Sequence, residues 1–359
     1  MSHGSFGTPG RAQRHGIGAL LCALALHAAA GAAAAAPQLR AGDLLVTDPN
    51  NHRVLHVDPA TGDVRAFSPR AGSGPNLLSA PAGIAIDADT GPLVVDTATN
   101  KLIAINPTTG AQSEVRYRIP QGGIDDPLDI GSYPRGIAVS RAKIDEYDLG
   151  DAFVASYGAV YRVERDLVNT ISTPLVTDAT ITSPDSLALD RASETGLLLA
   201  NAGQLLAIDL SPVGLSVYYT PPSGFVTGVD WTLGLEIGLQ VTCGGVDSGV
   251  YDYAGGGPSF SPRAAGSPWF GCPGAITVDP ATFETYAVDA GASPEQIVAV
   301  ASTGGTRRLV ATLPATEPQT IPFDLDVSPV TFAPEPGAQA LGLLAIALLA
   351  GIRRAITPP

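Results

Sequence analysis

Basic residues, histidines and cysteines are all scarce in this chain, and each scarcity removes a class of function. The 359 residues carry 20 Lys and Arg against 34 Asp and Glu, a formal net charge of −14. A surface this acidic offers no electrostatic footprint for nucleic acid or for an anionic membrane surface. Of five histidines, only His52 and His56 lie beyond the first 30 residues. That is too few for a His-rich metal centre, and no Ser/His/Asp grouping suggests itself. Of the three cysteines, Cys22 sits in an N-terminal apolar stretch, which leaves Cys243 and Cys272. Helical periodicity is also missing between the two ends of the chain.

The ends differ in composition from the middle. Arg11 and Arg14 precede an uncharged apolar stretch from Ile17 to Ala30, and an alanine-rich run ends at Ala36. Residues 1–36 therefore read as a cleaved secretory signal peptide; the other reading, a transmembrane anchor, needs roughly 20 apolar residues to span. Leu21 is too bulky for the small residue that lipid attachment at Cys22 requires. At the other end, Pro334, Glu335 and Pro336 are followed by an apolar run over 337–352 and then by Arg353 and Arg354. Cations after an apolar helix stay on the cytoplasmic side. This tail resembles the PEP-CTERM sorting signal of Gram-negative bacteria, in which a Pro-Glu-Pro motif, a hydrophobic transmembrane helix and a basic cluster are handled by an exosortase. The resemblance implies export across the cytoplasmic membrane to the cell envelope or the extracellular space. It also implies an exosortase-type partner and transient membrane association through the C-terminal helix; a plain C-terminal anchor is the alternative. Between Pro37 and Pro336 four of the 20 basic residues are gone and all 34 acidic ones remain, and export makes a disulfide between Cys243 and Cys272 permissible. Two unpaired buried thiols are the other reading.

The middle is repetitive. An apolar, β-rich segment recurs as PAGIAID at 81–87, PRGIAVS at 134–140, PDSLALD at 184–190, VTGVDWT at 226–232, PGAITVD at 273–279 and PFDLDVS at 322–328. Successive copies begin 53, 50, 42, 47 and 49 residues apart, a period that fits one four-stranded propeller blade. Within a unit the order also repeats: PAGIAID, a turn, PLVVDTATN, KLIAINPTTG and AQSEVRYRI. The turn between third and fourth strands is nearly the same in two units, Asp58 to Gly62 and Asn106 to Gly110, as a tight hairpin requires. The first unit, from Gly42 to Ser68, lacks an innermost strand, whereas PFDLDVS stands alone after the last complete unit. Pairing the two completes a blade. The expected fold is thus an all-β, six-bladed β-propeller over 37–333, its ring closed by a C-terminal strand that completes the N-terminal blade. A β-sandwich or β-helix of the same composition would leave both the period and the complementary ends without a cause.

Residues 42–328, and LLVTDPNNHRVLHVDP at 44–59 above all, resemble the NHL and SMP-30/gluconolactonase-like group of six-bladed propellers. In that group the starts of innermost strands and the ends of second strands share the ligand-binding face. The resemblance places Asp48, Asn51, Asp96, Asn100, Asn201 and Asp289 around that face, where a ring of oxygen ligands suits Ca²⁺. The other reading is that these side chains satisfy backbone donors in the turns after the second strands. The long connection QGGIDDPLDIGSYPRG adds Asp126, Asp129 and Tyr133 as candidate binding-loop residues. A lactonase of this kind implies a divalent metal held partly by a Glu at the start of an inner strand, and every glutamate falls outside those segments. With no convergent catalytic set, the expected role is non-enzymatic: a binding module that presents a loop-built face to an envelope polysaccharide, a protein or a small ligand. The alternative is a secreted metal-dependent lactonase-like hydrolase or lyase.

Overall fold

The structure, a computed structural model, describes residues 38–70, 72–116, 126–141, 143, 147–165, 170–190, 196–221, 224–232, 235–241, 248–253, 260–265, 270–302, 305–314 and 324–332. Strands occur where β-branched and aliphatic runs are bounded by Gly, Pro, Asp and Asn, and the only helical element among the described residues is a single 3-10 turn at Pro49–Asn51.

The strands assemble into four-stranded antiparallel sheets. Consecutive strands build β4 (Pro81–Asp87), β5 (Gly91–Asp96), β6 (Lys101–Ile105) and β7 (Gln112–Glu114); β8 (Gly136–Val139), β9 (Ala152–Ser156), β10 (Ala159–Arg165) and β11 (Thr170–Thr177); and β12 (Pro184–Leu189), β13 (Gly196–Asn201), β14 (Gln204–Leu210) and β15 (Val213–Tyr219). The pattern continues with β16 (Phe225–Thr232), β17 (Leu235–Val241), β18 (Gly249–Tyr253) and β19 (Phe260–Ala265), and with β20 (Pro273–Val278), β21 (Thr285–Asp289), β22 (Gln296–Val300) and β23 (Arg307–Thr312). The remaining sheet joins the two ends of the repeat array. Its order is β24 (Leu325–Val327), β1 (Leu44–Asp48), β2 (Arg53–Val57) and β3 (Val64–Ser68), with Leu44 opposite Val327 and Val46 opposite Leu325.

Burial runs along each sheet as a gradient. β1, β4, β5 and β9 are buried at every position, while the fourth strands alternate or are open, as in β11 and β15. Continuous rather than alternating burial means that both faces of the inner strands are covered. The apolar clusters show by what. Leu93, Val95 and Leu102 of one sheet pack with Ile137, Val139 and Val154 of the next, and Phe153 and Val160 pack with Leu197, Leu199 and Leu206. Leu44 and Val57 likewise meet Val288, Ile297 and Val310. The core therefore lies between neighbouring sheets. The hairpin turns are as expected from sequence: the Asp58 carboxylate accepts from the N–H groups of Ala60 and Thr61, the Asn106 side chain accepts from those of Thr108 and Thr109, and Gly62 and Gly110 hold φ of 77° and 71°.

The innermost strands β4, β8, β12, β16, β20 and β24 line one common cavity of about 240 Å³. They approach closely at the third position of the repeated segment. A Cβ added at Gly83 would lie 2.1 Å from the carbonyl oxygen of Arg135, and one at Gly136 would lie 2.9 Å from the amide nitrogen of Leu187. Since a backbone neighbour cannot swing aside as a side chain would, Gly83→Ala must push β4 and the lead-in to β8 apart. We expect a loss of about 1–3 kcal/mol, read by urea denaturation; an unchanged midpoint contradicts the close approach.

Candidate functional site

The antiparallel registers place the starts of innermost strands beside the ends of second strands: Pro81 opposes Asp96, Pro184 opposes Asn201, and Pro273 opposes Asp289. The side chains at those second-strand ends are buried and already engaged. Asp96 accepts from the N–H groups of Ser79 (2.6 Å) and Ala80 (2.8 Å) and from the N–H and hydroxyl of Thr99 (2.9 and 2.8 Å). Asn201 accepts from the N–H groups of Thr182 and Ser183, both at 3.0 Å, and donates to the Thr180 carbonyl at 2.8 Å. Asp289 takes the N–H groups of Gly271 (3.0 Å), Cys272 (2.9 Å) and Gly291 (3.0 Å). Asp48 accepts from Asn51 and, at 2.7 Å, from Arg53 Nε, and at the comparable position of β9 the Ser156 hydroxyl donates to the Ile130 carbonyl. In three sheets, then, this residue ties down the segment leading into the innermost strand of its own sheet. Asn100 is likewise committed, its Oδ1 accepting from Tyr133 N–H at 3.0 Å.

The same face carries groups that remain open. Asp126 and Asp129 are exposed, and Asp129 accepts from Gly131 N–H at 3.0 Å. Tyr133 is 68% exposed, Tyr157 58% and Phe225 62%. Arg135, just before β8, forms a 2.8 Å ion pair with Asp185, the second residue of β12. Burial lifts the Asp185 carboxyl to about 6, with Arg135 pulling it the other way, so the pair is charged at neutral pH. Glu295, in the turn before β22, has its carboxyl raised to about 7 by burial and by the nearby Asp48 charge, and its Oε2 meets no hydrogen-bond partner among the described residues. Sequence reasoning looked for glutamate at inner-strand starts and therefore passed over this one, which reaches the same face from another turn.

Sequence reasoning also passed over the polar lining of the cavity. Asp324 and Asp326 of the β24 segment reach across to β4, accepting from the N–H groups of Ile84 (3.1 Å) and Ile86 (2.7 Å). Asp230 of β16 accepts from Val278 N–H of β20 at 2.8 Å, and Thr277 donates to Asp230 (3.2 Å) and Asp326 (3.3 Å). Arg141 Nη2 lies 3.8 Å from Asp326. The signal was present in the aligned segments: their third and fifth positions are the channel-side pair, and they hold Gly, Ala, Ser, Thr or Asp and nothing larger. Burial raises the Asp324 carboxyl well above the ordinary aspartate range. The hydrogen bonds from Ile84 and Leu325 oppose that rise, and the charges of Asp326 and Asp230 add to it.

On the opposite face, His56 Nε2 lies 2.8 Å from the Asp43 carboxylate, both buried, and Asp151 binds Arg162 at 2.8 Å. Cys272 is disulfide-bonded. Cys243, the signal segment 1–36 and the sorting residues Pro334, Glu335, Pro336, Arg353 and Arg354 lie outside the described residues. Among the described residues no helix is long and apolar enough to cross a membrane, and no group of three or more His, Cys, Asp or Glu gathers for a metal.

No family model and no curated protein matches the chain. Solved structures do resemble it. A chain of the nidogen/laminin complex is 11% identical with a TM-score of 0.57, over 81% of this chain and 99% of that one. A gluconolactonase from Xanthomonas campestris is 14% identical with a TM-score of 0.53, over 71% of this chain and 84% of its own. The fold is an all-β propeller.

The cavity generates a pH dependence with a defined sign. A carboxyl whose folded pKa exceeds its unfolded one costs nothing below the unfolded value and costs most above the folded one. The folded state therefore loses about 1.4 kcal/mol per pH unit as pH rises through that window. Asp324→Asn removes the effect, so the stability of the variant relative to the parent should rise between about pH 4 and neutrality. Chemical denaturation at both ends of the range tests this, and a constant difference is the contrary result.

Proposed function

We propose that this chain is an exported, six-bladed propeller that serves as a binding module of the cell envelope or extracellular matrix. The blade count and ring closure are supported by the pairing of β24 with β1 and by the contacts of β24 with both β4 and β20. Export and exosortase-type sorting rest on the terminal sequences alone. The binding role is carried by one observation: the polar side chains at the second-strand ends are committed within the protein, while the large exposed hydrophobic side chains of that face are aromatic rings, set beside the Arg135–Asp185 pair. Surface of that kind recognises a ligand without transforming it.

Two measurements test this reading. Full chain mixed with isolated envelopes of a Gram-negative host should co-sediment saturably, and a Tyr133→Ala, Phe225→Ala double variant should lose most of that binding. Absence of saturable binding by the parent rejects the module. Intact mass of secreted material under non-reducing conditions should show a start near Ala36, loss of everything beyond Pro336, and no free thiol, because Cys272 pairs with Cys243. Retention of both ends rejects the processing, and two free thiols reject the pairing.

Glu295 favours a second reading. A half-buried carboxyl with a pKa of about 7 on the ligand face suits general acid–base chemistry, as a lactonase-like hydrolase with a Ca²⁺ or other divalent ion would require. Stoichiometric divalent metal in purified chain, together with lactone turnover abolished by Glu295→Gln, favours the enzyme over the module.

A further inference from the structure

We propose that the arc of the ligand face carrying Tyr133, Tyr157 and Phe225 binds a neutral polysaccharide, an assignment that rests on the binding-module reading above. The large exposed hydrophobic side chains among the described residues divide by location: Leu149 lies between β8 and β9 on the opposite face, Val213, Val217 and Leu309 lie on the outer strands, and the three aromatic ones all lie on the ligand face. Aromatic area is the most costly to leave in water, so its concentration on one face marks a surface that is covered in use.

The fold holds the backbone that carries the two tyrosines and seats the Phe225 ring. Tyr133 occupies the left-handed region, at φ 52°, where a bulky residue is strained. Its N–H is fixed by Asn100, and the loop is tied to the next turn through Tyr157 N–H to the Ser132 carbonyl at 2.9 Å. Phe225 lies over Gly203, where a Cβ would stand 2.6 Å from ring atom Cδ1, so the glycine makes room for the ring. Flat surfaces set in advance stack on a ligand with little loss of freedom. The arc runs over consecutive sheets, with the Arg135–Asp185 pair bridging the starts of β8 and β12.

The chemistry selects the ligand. Sugar rings offer apolar C–H faces to an aromatic plane and hydroxyls that both donate and accept at their edges. The Arg135–Asp185 pair supplies donors and acceptors with no net charge. A polyanion would meet the exposed Asp126 and Asp129 in a chain of net charge −14, and the Arg135 guanidinium is already paired with Asp185. Repeating neutral sugars match an arc of spaced rings.

Affinity gel electrophoresis of the full chain tests the assignment, with dextran, laminarin and glucomannan as neutral probes and alginate as the anionic one. At least one neutral probe should retard the chain to the same extent when ionic strength is raised several-fold, and alginate should not. Tyr133→Ala and Phe225→Ala should each weaken retardation about tenfold, while the outer-strand control Leu309→Ala should leave it intact. Melting transitions of the variants separate lost binding from lost folding. Migration untouched by every neutral probe, salt-sensitive retardation by alginate, or unaltered retardation of folded Ala variants overturns the proposal. If the chain still sediments with envelopes through the same rings but no neutral probe retards it or competes, the partner is a protein and the module survives. If neither occurs, both readings fall.

Discussion

The innermost strand of each sheet has one edge that no strand of its own sheet can pair. That edge faces a cavity of about 240 Å³, where an unmet N–H costs as much as any buried orphan donor. The fold answers by laying the inner strands against one another and letting short side chains of one satisfy the edge of the next. Asp326 and Asp324 do this for Ile86 and Ile84, Asp230 does it for Val278, and the Ser186 hydroxyl lies 3.4 Å from Val229 N. Where no polar side chain is used, glycine lets backbones touch, as at Gly83 and Gly136. Anything longer than Asp at these positions would fill the cavity or force the strands apart.

Meeting the edge with carboxylates places Asp230, Asp324 and Asp326 in one enclosed space, with the guanidinium of Arg141 3.8 Å from Asp326. The cost appears as the raised pKa of Asp324. The interior of the propeller thus trades electrostatic comfort for backbone satisfaction. The face at the starts of the innermost strands makes a similar use of polar side chains at Asp96, Asn201 and Asp289, which hold the lead-in segments of those strands. The exposed side chains of that face are Tyr133, Tyr157 and Phe225, beside the Arg135–Asp185 pair.

Much of this was legible from residues alone. The recurrent segments mark the innermost strands to within a few residues, because a strand covered on both faces is built from apolar and short side chains and is bounded by turn residues. The two hairpin turns could be read from Asp58 and Asn106 because an Asx side chain bonding its own backbone is a local event. The Asp and Asn residues at the ends of the second strands were also found, both as candidate ligands of a face and as acceptors for backbone donors of the adjoining turns; their engagement with Ser79, Thr182 and Gly271 depends on segments 17 to 19 residues away. The inner aspartates were overlooked because the partners that matter for Asp230 in VTGVDWT and for Asp324 and Asp326 in PFDLDVS lie in other segments, at Val278, Ile84 and Ile86.

The sequence by itself determined the strands, their grouping into repeated four-stranded units and the complementarity of the first and last segments, since periodicity, turn chemistry and burial on both faces are local or repetitive properties. The tertiary structure alone decided which polar groups are free. Asp230 meets Val278 across 48 residues of chain and Asp326 meets Ile86 across 240; neither separation is encoded by a motif, because each bond exists only once neighbouring sheets have packed around the cavity and brought an unpaired N–H within reach of a carboxylate.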